Sequence, residues 1–399
     1  MIADKYSGYM HGLVDRVVTE IGPREACSDE EKKLGDLFAG EVGPACEKVN
    51  KETFTCNPRV AFGVFPFFVA LYFAGLVFYY VFPPVTVVLV ALVLFIFLFE
   101  VVRYRELIDW MLPQKEGENV AGVVKPRGEV RKRVIFSAHM DSAFEFKLWY
   151  WFKNFSIPVL VTAVVAFLVL FGVGIARTIA GSRGFTWAGP YGTLGIICIA
   201  LSPVVFLLVF LRTGDLVPGA MDDMAGVSVL AGLAKYLEEA KESGGFYPEN
   251  TEVVLLGMSS EEAGLRGAKR YTARHDNELK AIPTYGIFWD GIYDEQYLVV
   301  NRREIFPGAK HDPYLVKLAQ DTARKNNFEI KTGMIPIGAS DAAVFSKNGI
   351  SAVHLCCQDT SKLAPNYHTR LDTIDYIRPE SLAVSLQMSI DMLESIDRA

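Results

Sequence analysis

Eight side chains have the types that hold and use divalent metal ions: His139 and Asp141 in AHMDS, Asp222 and Asp223 in GAMDDMAG, Glu261 and Glu262 in SSEEAGLRG, Asp290 in FWDG, and His368 in NYHTRLDTID. Taken singly, each has a structural reading, such as a histidine satisfied by a neighbouring acid or a glutamate pair on a solvated face. Together they read differently, because several of the acids stand at the ends of short apolar runs. Burying unpaired carboxylates there costs several kcal/mol, so cations must neutralise them. Two imidazoles with three carboxylates and no thiolate form a donor set for two zinc ions, with cobalt or manganese as substitutes. A pair of metals bridged by a carboxylate polarises a carbonyl and lowers the pKa of a shared water. The expected chemistry is hydrolysis of an amide.

These groups need elements to position them. The apolar run Arg133–Ala138 leads into His139, Glu252–Met258 stops just before Glu261 and Glu262, and Tyr285–Trp289 leads into Asp290. Read as buried strands of a mostly parallel sheet, the runs present the groups at their carboxyl ends, where open α/β sheets place ligands. Helical segments alternate with them. Met224 to Glu242 carries Val227, Leu230, Ala231, Ala234 and Leu237 on one face, with Asp222 or Asp223 at the N-cap. Asp312–Pro313 opens another helix, and Pro379 to Ile396 is amphipathic. The expected fold class is α/β: an α/β/α sandwich with a mixed, mostly parallel sheet.

The composition adds a second character. The 399 residues are 51% hydrophobic and 22% charged, with a mean hydropathy of +0.23, too apolar for an ordinary soluble enzyme. Val60 to Phe99 holds 40 residues without a charge, interrupted by Pro83–Pro84, and uncharged runs also cover Asn154–Ala176 and Gly184–Leu211. Because a span needs about 20 residues, four transmembrane helices are expected near 62–82, 85–102, 154–174 and 192–211, in two hairpins. Lys51, Arg59, Arg103, Arg105, Lys147, Lys153 and Arg212 flank them on one side and Arg177 and Arg183 on the other, which places the polar bulk in the cytoplasm. Trp149, Tyr150, Trp151, Trp187 and Tyr191 suit the membrane interface. The six cysteines follow no disulfide spacing and read as reduced thiols. A net charge of −6 without a basic tract excludes nucleic acid as a partner.

In order, HMDS, GAMDD, EE followed by GLRGAKRY, a strand-terminal Asp, GASDAAVF and YHTRLDT resemble the aminopeptidase Y type of co-catalytic dizinc exopeptidases, which includes secreted leucyl aminopeptidases. Val17–Arg24 (VVTEIGPR) resembles the family's opening helix and turn, and the likeness covers 10–57, 118–146 and 214–398. The resemblance implies that His139 and Asp290 bind one zinc, that Glu262 and His368 bind the other, and that Asp222 bridges. It also implies Glu261 as general base and Asp141 as support for His139. Ser340–Asp341 matches a family SD near the substrate pocket, and Asp372 follows the last ligand; each also has a structural reading. Asp223 stands where relatives carry Asn, and Ala342 where many carry His. The former either adds charge beside the metals or caps a helix. His11, His275, His311 and His354 match no ligand position and are expected at the surface or in packing.

Relatives have a short connection between the HxD motif and the bridging Asp, whereas here 83 positions separate His139 from Asp222 and hold the second hairpin. The expected organisation is one peptidase domain made of 1–60, 103–148 and 213–399, with transmembrane hairpins at 61–102 and 149–212. At about 3.3 Å per extended residue, the short tethers from Asp141 to Lys147 and from Arg212 to Asp222 hold the site close to the bilayer. The expected function is a membrane-integrated zinc aminopeptidase whose partners are peptide substrates at the interface and the lipid bilayer, with homo-oligomerisation left open. The alternatives are a carboxypeptidase or dipeptidase of the same fold, a non-catalytic membrane scaffold and, last, a transporter.

Overall fold

The computed structural model describes residues 1–181, 189–361 and 364–399, so Arg183 and Trp187 lie outside the described residues. Among the described residues nine strands form one sheet. They are β1 (Lys48–Cys56), β2 (Lys115–Val124), β3 (Lys132–His139), β4 (Thr251–Met258), β5 (Thr284–Ile292), β6 (Leu298–Glu304), β7 (Ala309–Lys310), β8 (Lys331–Ile335) and β9 (Ser351–Cys357). Their order is β1-β2-β4-β3-β5-β9-β6-β7, with β8 paired to β6.

The three apolar runs become β3, β4 and β5, and with β9 they make the parallel centre of the sheet. The expectation of a mostly parallel sheet needs correction, since four strand pairs are parallel and four antiparallel. Continuous apolar runs mark strands covered on both faces. β1 instead alternates between exposed and covered positions, a pattern typical of antiparallel flanks.

Consecutive strand residues point to opposite faces, and β5 shows what lies on each. The Trp289 indole N–H donates to Ser389 Oγ at 2.9 Å in the C-terminal helix Pro379–Arg398. Phe288 meets Phe345 of the helix Asp341–Lys347 edge-to-face, centroids 4.8 Å apart. Helices therefore cover both faces of the sheet. On the Trp289 face, Asp4–Glu20 packs against Ala225–Ser243 and Pro379–Arg398, burying Met10, Val14, Val17, Leu230, Leu233 and Leu386. Each such side chain contributes roughly 1.5–3 kcal/mol of burial. Asp312 caps Pro313–Lys325 as expected, accepting the Tyr314 N–H at 2.7 Å.

This unit comprises Met1–Pro58, Pro113–Phe144 and Leu216–Ala399. Where the chain departs and returns, its ends are joined: the Asn57 side chain donates to the Pro113 carbonyl at 2.6 Å, and Phe144 bridges Leu216. The sheet thus closes across both interruptions.

The second unit, Arg59–Leu112 and Glu145–Asp215, is apolar and helical. Three of its helical segments among the described residues are long and apolar enough to cross a membrane: Pro83–Val102, Lys147–Ile179 and Gly189–Phe210. The remaining apolar helix, Phe65–Val81, has 17 residues, about 26 Å at 1.5 Å per residue, short of a ~30 Å hydrocarbon core. Arg177, expected in a connecting loop, lies within the helix Ser156–Ile179, fully buried, its guanidinium 4.7 Å from the Tyr79 ring and 5.3 Å from that of Tyr80. Cation–π contact of this kind reconciles the charge with an apolar surrounding. Gly195 permits the packing, since a Cβ there would lie 2.1 Å from Tyr80 Oη.

Candidate metal centre

The carboxyl end of the parallel centre gathers the side chains. His139 ends β3, Asp290 lies in β5, Glu261 and Glu262 follow β4, Asp222 occupies the turn before Ala225–Ser243, and His368 lies in the loop after β9. His139 Nε2 is 2.9 Å from Asp222 Oδ1 and 4.0 Å from Asp290 Oδ1. His368 Nε2 is 3.2 Å from Asp222 Oδ2 and 3.2 Å from Glu262 Oε1. Asp222 thus gives one carboxylate oxygen to each histidine. Two sets, His139/Asp222/Asp290 and Asp222/Glu262/His368, each bring three donor atoms within 4.8 Å of one another, and Glu261 forms a third such set with His139 and Glu262. The Asp222–Asp223 peptide is cis.

The donor chemistry fits a divalent metal. Each of the first two sets offers one imidazole and two carboxylates, at most 6% exposed at His139, Asp222 and His368. Burial, with the charges of Glu262, Asp341 and Asp290 added to it, pushes Glu261 well above the usual carboxylate range, and burial raises Glu262 and Asp223 too. Burial opposes a charged His368, yet the charge of Glu262 and the hydrogen bond to Asp222 lift it to about 10. Against its own burial, Asp222 is held well below the carboxylate range by its two histidine partners. The acids therefore draw protons onto the imidazoles, and divalent cations would supply the same charge at lower cost.

A supporting layer fixes the donors. His139 Nδ1 is 3.0 Å from the main-chain oxygen of Asp141. A carbonyl can only accept, so Nδ1 carries the proton and Nε2 is turned toward the donor set. The support for His139 expected from Asp141 comes chiefly through that backbone oxygen, with Oδ1 at 3.4 Å. The carboxylate itself accepts the N–H groups of Glu261 and Glu262, each at 3.0 Å. Asp372 accepts from Met221 N at 2.8 Å and Asp222 N at 3.2 Å, and burial lifts its carboxyl to about 8. Asp223 accepts from Gly226 N at 3.1 Å, the N-cap reading, and from His139 N at 3.2 Å.

Sequence reasoning missed three supports. Arg24, fully buried, donates to the carbonyls of Met140, Gly22, Pro218 and Gly219, tying the IGPR turn to β3 and to the approach to Asp222. Glu31 accepts Cys27 N at 2.6 Å and Ser260 N at 2.9 Å; its place three residues after the N-cap Ser28 marks a helix start and not this support. His354, expected at the surface or in packing, is 3% exposed with Nε2 3.7 Å from Asp290 Oδ2, while Asn301 donates to its Nδ1 at 2.8 Å. His311 pairs with Glu304 at 3.1 Å, and Glu304 accepts the N–H of Ser340 at 2.9 Å, seating the SD motif. Ala342 is fully buried, and His275 pairs with Glu52.

The model of Peptidase family M28 matches residues 206–393, a segment that contains Asp222, Glu261, Glu262, Asp290 and His368 and leaves His139 outside. Among solved structures, the chain is similar to BSAP, a zinc aminopeptidase from Bacillus subtilis, with TM-score 0.57 and 14% identity, covering 98% of this chain and 94% of that one. A glutaminyl cyclase from Bacteroides thetaiotaomicron bound to N-acetylhistamine gives 0.56 and 14%, covering 97% of each chain. An aminopeptidase from Aneurinibacillus sp. strain AM-1 gives 0.57 and 14%, covering 98% and 93%. At these identities the likeness is one of fold. No curated protein sequence matches significantly. The M28 match over the segment that carries six of the eight candidate residues, on a fold shared with zinc aminopeptidases, supports a metallo-exopeptidase.

Proposed function

We propose that this protein is a membrane-integrated aminopeptidase of the aminopeptidase Y type, using two zinc ions to remove N-terminal residues from peptides. The observation that carries the reading is Asp222, whose two oxygens face different histidines, His139 and His368, as a bridging carboxylate between two ions would. His139 and Asp290 would hold one ion and Glu262 and His368 the other. Bound zinc supplies Lewis acidity toward the scissile carbonyl and acidifies water. Glu261 takes the proton of the attacking water and returns it to the leaving amine. Asp141 keeps Glu261 in place by holding its backbone N–H.

Four spans in two hairpins, with Phe65–Val81 as the first, would leave every long polar segment on one side, and the flanking Lys and Arg residues favour the cytoplasm. Substrates are then peptides at or near the membrane surface. A second reading is a glutaminyl cyclase, favoured because such an enzyme shares the fold at a TM-score of 0.56 against 0.57 for the zinc aminopeptidase.

One experiment separates these readings: detergent-purified protein is given unblocked and N-acetylated peptides, some beginning with glutamine, before and after metal removal, beside Glu261→Gln. Release of free amino acid from unblocked peptides only, restored by zinc and lost in the variant, supports the aminopeptidase. Cleavage of acetylated peptides from their carboxyl ends supports a carboxypeptidase instead. Ammonia release from N-terminal glutamine without chain shortening supports the cyclase.

A further inference from the structure

Two of the six thiols meet beside the candidate base. Cys27 Sγ lies 3.4 Å from Cys56 Sγ and 3.3 Å from Ser260 Oγ, and Ser260 directly precedes Glu261. Cys27 follows the IGPR turn, and Cys56 is the last residue of β1, so the pair joins two segments otherwise separate in sequence. A second link runs parallel to it, since the two oxygens of Glu31 accept the N–H groups of Cys27 and Ser260. Both residues sit in the left-handed region, Cys27 at φ 62° and Ser260 at φ 60°, which side chains other than glycine adopt only when their surroundings hold them there. Movement of Cys27 is therefore transmitted to Ser260. For the sulphurs to bond, they must approach by about 1.3 Å to reach the ~2.05 Å of a disulfide.

We propose that Cys27 and Cys56 form an oxidative modification site at which a peroxide converts the dithiol to a disulfide, drawing Cys27 from Ser260 and loosening the loop that holds Glu261. The Cys56 sulphur attacks one peroxide oxygen; the O–O bond breaks, hydroxide leaves, and Cys56 becomes a sulfenic acid. The Cys27 sulphur then attacks that sulphur, the S–S bond forms, and the sulfenic oxygen leaves as water with the Cys27 proton. In sum two thiols give up two electrons and two hydrogens, and one peroxide becomes two waters. The order of attack follows from the surroundings. The hydrogen bond from Cys27, with help from Ser260 and the Arg266 charge, draws the Cys56 thiol below its usual range despite burial, whereas the same contact pushes Cys27 up. With Cys27 only 7% exposed and Cys56 fully buried, the site favours hydrogen peroxide over bulky thiol reagents.

The effect on hydrolysis rests on the aminopeptidase reading; disulfide formation and loop loosening do not. The full chain in detergent is titrated with hydrogen peroxide and mapped by non-reducing peptide mass spectrometry, with hydrogen exchange followed at the Ser260–Glu262 amides. The expected result is a Cys27–Cys56 linked peptide and at least tenfold faster exchange at those amides, both reversed by a phosphine reductant. Peptide hydrolysis, where present, should fall several-fold in parallel. Cys56→Ser and Cys56→Ala should give no linked peptide and peroxide-resistant exchange. Absence of the linked peptide at peroxide doses that oxidise exposed methionines would overturn the site. A quantitative link with unchanged exchange would overturn its coupling to the base. Protein inactive before treatment would count against the aminopeptidase reading and leave these two readouts to decide the proposal.

Discussion

The carboxylate of Asp141 accepts the backbone N–H of Glu261 through Oδ1 while its other oxygen accepts that of Glu262, both at 3.0 Å. The candidate base and a candidate ligand are consecutive, and one buried side chain sets the backbone of both. Charge-assisted bonds of this kind contribute about 1.5–3 kcal/mol each. Asp141→Asn keeps a single acceptor oxygen and turns an amide N–H₂ against the other donor. We expect activity to fall about 10–100-fold with zinc content reduced less than in His139→Ala. Kinetics beside elemental analysis check this; unchanged kcat would mean that the amide clamp does not position the base.

Glu261 shares a donor set with His139 and Glu262, yet its assigned work is proton transfer. Glu261→Gln preserves shape and removes the acceptor, so kcat should drop roughly 10²–10⁴-fold with metal content and melting temperature close to wild type. Loss of metal in this variant would reassign Glu261 as a ligand.

Much of this centre is legible in the sequence because its residues end continuous apolar runs, and such runs become the parallel strands β3, β4 and β5. The antiparallel flanks escaped because β1 alternates and β7 has only two residues, Ala309–Lys310. The support layer was harder. Arg24 and Glu31 act through main-chain groups of segments more than 100 residues away, and main-chain hydrogen bonding leaves no residue-type signature. His354 sits inside an apolar strand, AVHLCC, where a histidine reads as packing until Asp290 is found opposite. The length of the Phe65–Val81 helix was overlooked, although Pro66 in its first turn and Pro83–Pro84 at the start of the next helix bound it in the sequence.

Metal removal should destabilise the sheet-bearing unit. Asp222, Glu262 and Asp290 would then be compensated only by protonated histidines, and any ion that binds the folded state alone stabilises it by mass action. Chelation should lower the melting temperature by several degrees, with recovery on zinc, cobalt or manganese and little on magnesium. Equal recovery with magnesium would argue against an imidazole-containing site.

Gly267 is the second residue of the helix Arg266–Arg274 that follows the Glu261–Glu262 loop, and a Cβ there would lie 2.1 Å from the Ser259 carbonyl and 2.5 Å from Asn119 Oδ1. The first obstacle is backbone and cannot rotate away. Gly267→Ala should destabilise by roughly 3 kcal/mol and lower activity through displacement of the loop. Gly12→Ala, with nothing within 4 Å of the added Cβ, is the matched control and should be neutral or stabilising.

His275 offers a pH dependence away from the metal centre. Its Nε2 is 2.9 Å from Glu52 and its Nδ1 3.0 Å from Glu278, and the bond to Glu52 raises its pKa against partial burial. A pKa higher in the folded than in the unfolded state stabilises in full below the unfolded value, about 6.5, and the benefit fades as pH rises through the folded value. Because the pair is partly exposed, the contribution should stay below about 1 kcal/mol. The melting-temperature gap between wild type and His275→Gln, measured from pH 5.5 to 9, should be widest at the acid end and close toward the alkaline end. A gap that widened with pH would mean that neutral His275 is the form the fold prefers, and that the contact with Glu52 is packing and not an ion pair.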